Sequence, residues 1–60
     1  MDLKLIDADK AKVFGLAAQD TTEAEAFDRL QADHLRWTGE EVQAHLNEAI
    51  AAGAFVREGE

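Results

Sequence analysis

The stretch Trp37-Thr38-Gly39-Glu40-Glu41-Val42-Gln43-Ala44-His45-Leu46-Asn47-Glu48-Ala49-Ile50-Ala51-Ala52-Gly53-Ala54-Phe55-Val56-Arg57 decides the fold. Thr38 followed three residues later by Glu41 is a capping box, in which hydroxyl and carboxylate each satisfy a backbone N–H that a helix start leaves free. Val42, Leu46, Ala49 and Ile50 recur at i, i+4, i+7 and i+8, the apolar stripe of a helix running from about Gly39 to Ala52. Gly53 suits the left-handed residue that ends a helix. Phe55 and Val56 then favour a short strand. The segment is a punctuated helix-to-strand unit.

Working back towards the N-terminus, Phe27, Leu30 and His34 fall at i, i+3 and i+7 and predict a second helix from about Thr22 to Asp33 or Leu35. Its start is capped by Asp20 with Glu23 or by Thr22 with Glu25. Gln19-Asp20-Thr21-Thr22 reads as a polar break before it. Asp7 predicts the cap of a first helix over Ala8 to Ala18, with Ala11, Phe14 and Ala18 on one face. Gly15 weakens that helix by about 1 kcal/mol relative to Ala, or lets another element approach. Leu3 and Leu5, with Lys4 pointing the other way, predict a short N-terminal strand. The two end strands can pair antiparallel, bringing Lys4 near Glu58, and a pair this short needs the helices as a platform. The tail Arg57 to Glu60 is expected to fray. Phe14, Phe27, Leu30, Val42, Leu46, Ile50 and Phe55 form the expected core. The fold class expected is mainly α: a single domain over residues 1–60, with three helices and short terminal strands.

Sixty residues support one domain. Such a domain buries only about 60% of the surface its unfolded chain exposes, which leaves little room for a deep substrate pocket. Thirteen Asp and Glu against six Lys and Arg give a net charge of −7. Phosphate backbones are bound by Lys and Arg that displace counterions, so nucleic acid is a poor match; the acidity reads first as a solubilising surface, and in the sharper reading as a match for a basic partner protein or a mimic of nucleic-acid charge. There is no Cys, which fits a cytoplasmic protein. No apolar run approaches the ~20 residues needed to span a bilayer, and Met1 to Ile6 lacks the pattern of a signal peptide.

The run from Thr22 to Arg57 resembles a winged helix-turn-helix domain, through the capped helix with Thr38, Val42, Leu46 and Ile50, then Gly53 and the wing strand Phe55-Val56. The resemblance implies a presented third helix beside a two-stranded wing, and either DNA binding or protein interaction. Two departures shape what is carried over. No second wing strand follows Phe55-Val56, so Leu3 to Leu5 is expected to supply it. The third helix bears Glu40, Glu41 and Glu48, where DNA readers of this type place Arg, Lys, Asn or Gln.

No nucleophile with an adjacent base is present, and the chain has no Ser. Glu41 and His45 share a helix face, but Glu41-Val42-Gln43-Ala44-His45 is not a His-Glu-x-x-His zinc motif. Asp7, Asp9, Asp20, Glu23 and Glu25 do not match a calcium loop. No catalytic, metal or cofactor residue is assigned. Trp37 is expected to seal the junction of helices two and three, with His34 partly beneath it and His45 solvated. Trp and Arg are favoured interface anchors, so the expected interaction surface is Arg36, Trp37, Glu40, Glu41, Gln43 and Glu48. The first functional reading is a small, acidic, non-enzymatic interaction module, a regulatory subunit or inhibitor docking on a larger, basic protein. The alternative is a winged-helix DNA-binding regulator. A third reading is a subunit stable mainly as a homodimer, which concentration-dependent melting would expose.

Overall fold

In the computed structural model, which describes residues 2–58, strand β1 (Asp2–Leu5) leads into helix α1 (Ala8–Val13), strand β2 (Thr21–Thr22), helix α2 (Glu23–Asp33), helix α3 (Gly39–Ala51) and strand β3 (Phe55–Glu58). The three strands form one antiparallel sheet in the order β2-β1-β3. The architecture is therefore mixed α/β rather than mainly α. Three helices do form, but the polar break before α2 is itself a strand. A two-residue strand of Thr lies below what alternating hydrophobicity can reveal, although β-branched Thr suits the pleat.

The N-terminal strand is the centre of the sheet. Leu3 lies opposite Arg57 on one side and Thr21 on the other. The Ile6 amide extends the β3 ladder by donating to the Ala54 carbonyl at 2.9 Å. Where β2 runs out, the Asp20 carboxylate takes over its role and accepts from the Leu5 amide at 2.9 Å. Asp20 therefore works for the sheet, not as a cap for α2. That cap is Thr22, whose hydroxyl accepts from the Glu25 amide. Lys4 faces Val56, and the residue opposite Glu58 is Asp2. The expected proximity of Lys4 and Glu58 is thus a diagonal one, with no ion pair between them among the described residues. Of the expected frayed tail, Arg57 and Glu58 are paired in β3, while Gly59 and Glu60 lie outside the described residues.

Asp7 caps α1 as its sequence position requires, accepting from the amides of Asp9 and Lys10. The helix stops at Val13, well short of Ala18. Gly15 is the reason. It adopts φ +77°, its amide donates to Lys12, and the Leu16 amide reaches back to Ala11. Gly53 ends α3 in the same way at φ +95°, its amide bonded to Ile50 and that of Ala54 to Ala49. Both are Schellman motifs, in which a left-handed residue turns the chain back and satisfies the last carbonyls. Nothing lies within 4 Å of a Cβ built on Gly15, so its role is conformational and not a close approach. Each motif also buries the residue after the glycine: Leu16 and Ala54 join the core.

That core lies between the helices and one face of the sheet. Leu30, Val42, Leu46 and Phe55 are buried as expected, while Phe14, Phe27 and Ile50 pack half-buried around them. Leu3, Ala11, Leu16, Ala26, Ala49 and Ala54 complete it. The small alanines let α2 and α3 approach each other and the sheet. Lys10 adds an electrostatic clasp: its ammonium donates to the Ala52 carbonyl at 2.9 Å, supplying the positive charge that the last turn of α3 lacks.

Candidate functional site

The α2–α3 junction is a tight turn in which the Trp37 amide donates to the His34 carbonyl at 3.0 Å. The turn projects Leu35 and Arg36 into solvent and brings the rings on either side of them together. His34 and Trp37 stack at a centroid distance of 3.8 Å with only 7° between their planes. His45, one turn along the face of α3 from Glu41, tilts against Trp37 at 5.1 Å and meets the Phe14 ring edge-on at 5.3 Å.

His45 is not the solvated helix residue expected from its position. It is half-buried, and its Nε2 lies 2.7 Å from the Phe14 carbonyl. A carbonyl can only accept, so Nε2 carries the proton. The carbonyl belongs to the residue that ends α1, where main-chain acceptors lack helical partners. His45 thereby fastens α1 to α3, and no sequence spacing announces a bond between residues 31 positions apart.

In front of this cluster the surface of α3 is hollowed. Trp37, Glu41, Ala44, His45 and Glu48 line a shallow depression of about 290 Å³. The last four fall at i, i+3, i+4 and i+7, one stripe of the helix. Half-buried Trp37 and exposed Ala44 supply its apolar lining. The Glu41 carboxylate is held in place by the capping box, one oxygen accepting from the Thr38 amide at 2.9 Å while the Glu41 amide bonds the Thr38 hydroxyl. The Glu48 carboxylate makes no hydrogen bond or ion pair among the described residues.

The structure divides the six residues that the sequence marked for interaction. Trp37, Glu41 and Glu48 share the hollow. Gln43 does not: its amide donates to Asn47 Oδ1 at 3.1 Å on another flank of α3. Asn47 also accepts from Arg57 at 2.8 Å, and Arg57 pairs with Glu23 at 2.6 Å. This chain of polar groups ties β3 to α3 and the start of α2, and gives Gln43 a structural partner. Arg36 stands exposed at the turn tip, and Glu40 is exposed on the first turn of α3 outside the hollow. Ala44 and His45 were missed as lining residues, although i+3 and i+4 spacing from Glu41 carries that signal.

The sheet has an open face as well, with a larger depression of about 340 Å³ near Asp2, Lys4, Asp20, Thr22, Glu25 and Glu58. It contains no aromatic residue. Among the described residues no polar or charged side chain is buried, and no group of three His, Asp or Glu is placed to hold a metal ion. No helix is long and apolar enough to cross a membrane. Neither a family model nor a curated protein nor a solved structure matches the chain.

Proposed function

We propose that the chain is a small, acidic, non-enzymatic interaction module of the cytoplasm that docks on a larger protein with a basic surface, as a regulatory subunit or inhibitor. The observation that carries this reading is the hollow itself. It joins the chain's single Trp to two carboxylates on one helix stripe. A large aromatic beside a recess is the kind of residue on which binding energy concentrates, and carboxylates at its rim select a cationic partner and speed encounter with it.

The winged-helix resemblance belongs to the same proposal as a matter of shape. The antiparallel pairing of β1 with β3 supports it, since a wing needs a second strand beside Phe55-Val56. The sign of the charge separates the two uses of such a shape. A duplex meeting Glu40, Glu41 and Glu48 faces like charge, and no Lys or Arg lines the hollow to offset it.

The test is capture by the immobilised chain from cells that encode it, at physiological salt, beside the variant Ala44→Arg. Ala44 is exposed and Arg is a good helix former, so the variant fills the hollow without disturbing the core. The expected result is a protein with a basic surface, retained by the wild type and lost by the variant. Retention of the same protein by both, or of nucleic acid in its place, contradicts the reading.

A further inference from the structure

We infer that the hollow on α3 is an arginine-binding site, taking the side chain of one arginine presented by a basic segment of the partner. The inference rests on the docking reading above and names its chemistry. Ala44 is the one small residue among those lining the depression. Glu41 and Glu48 stand seven residues apart, about 10 Å along the helix axis, and both line the depression together with Trp37, whose indole also stacks on His34. A guanidinium is flat, weakly hydrated and forked. It can lie against an indole while donating two parallel hydrogen bonds to a carboxylate.

The alternatives fit less well. A lysine ammonium is a compact, strongly hydrated charge that cannot make both contacts at once. An apolar side chain would strip water from Glu41 and Glu48 and return no hydrogen bond. An anion would meet two carboxylates and a net charge of −7.

No Lys or Arg is among the residues that line the hollow. Arg57 is held by Glu23 and Asn47, Lys10 by the Ala52 carbonyl, and Arg36 is not among the lining residues. His45, which lines the hollow, is held to the Phe14 carbonyl. Glu41 and His45 are thus held in place before a ligand arrives, which lowers the ordering cost of binding.

Trp37 is the only Trp in the chain, so its fluorescence reports on the hollow directly. The experiment titrates the full chain with the capped pentapeptide acetyl-Gly-Gly-Arg-Gly-Gly-amide, following Trp fluorescence and amide shifts. Parallel titrations use the lysine and citrulline versions and a short nonspecific DNA duplex. The expected result is saturable arginine binding that shifts the Trp37 indole, Ala44, His45 and Glu48. Lysine binds more weakly, and citrulline, which keeps the shape and loses the charge, does not bind. Glu48→Gln weakens the arginine peptide by up to about fivefold, the upper range for one exposed ion pair. Ala44→Arg abolishes binding while melting as the wild type does. Equal response to the arginine and citrulline peptides, absence of saturable arginine binding, shifts centred elsewhere, or duplex binding at the same residues overturns the inference. If Ala44→Arg loses the captured partner but the arginine peptide fails to bind, the docking reading stands and the arginine assignment falls.

Discussion

Leu46 and Gly15 mark the two ways a single residue governs this fold. Leu46 is fully buried at the centre of the α3 stripe, and its i+4 spacing from Val42 made that legible in the sequence. Leu46→Ala is expected to cost about 2–5 kcal/mol, through lost transfer energy and the cavity left behind. Small domains hold only about 5–15 kcal/mol in total, so chemical denaturation should show a large loss. A midpoint within experimental error of the wild type would mean the stripe faces the wrong way. Gly15 was legible only in part. Its presence weakens a helix on propensity grounds, but whether a glycine interrupts or ends a helix depends on what can be buried just beyond it. Here Leu16 is buried, and the chain turns. Gly15→Ala should destabilise by about 1 kcal/mol, the left-handed penalty of roughly 1–2 kcal/mol less the gain of about 0.4–1 kcal/mol from a stiffer unfolded chain. Because no atom crowds the site, D-alanine at position 15 should stabilise. An equal loss with both enantiomers would point to crowding instead of backbone strain.

At the scale of elements, α2 and α3 were readable because caps, apolar spacing and stop signals agree along each of them. β2 was not, because two residues are too few to show a period and their pairing depends on a strand 18 or more positions away. The same limit hid Asp20. Near a helix start it looks like a cap, and only the register of β1 shows that the Leu5 amide needs an acceptor where β2 ends. Asp20→Ala should therefore speed amide exchange at Leu5 and cost about 1 kcal/mol, as for a typical hydrogen bond, while α2 keeps its Thr22 cap. Asp20→Asn retains an acceptor oxygen and should keep much of the Leu5 protection. Faster exchange at Glu25 with Leu5 unchanged would return Asp20 to a capping role. The site shows a parallel division. Trp37, Glu41 and Glu48 were legible from residue type and helix position, whereas Gln43 was drawn away by Asn47 and Arg57, partners that only the β3–α3 packing supplies.

For the molecule as a whole, the central place of β1 makes the N-terminus structural. Removing residues 1–5 takes away the strand to which β2 and β3 both pair, together with buried Leu3. The expected outcome is loss of cooperative melting, and in the intact chain slow exchange at Leu5 and Val56. Unchanged melting after the deletion would reduce the domain to a bare helical bundle. Among the surfaces that the described residues offer a partner are the α3 hollow with Trp37, the open face of the sheet, and the outer edge of β3. The last two lack an aromatic anchor, and the open sheet face sets Asp2 opposite Glu58, like charge against like. The proposal that α3 docks a basic protein therefore predicts where a partner must touch. The most direct measurement is an amide-shift footprint of the labelled chain in complex with the captured partner. The account expects perturbation centred on Trp37, Glu41, Ala44, His45 and Glu48, with Asp2 to Leu5 and Phe55 to Glu58 little changed. A footprint centred on the sheet face or on the β3 edge, with the Trp37 indole unmoved, would contradict it.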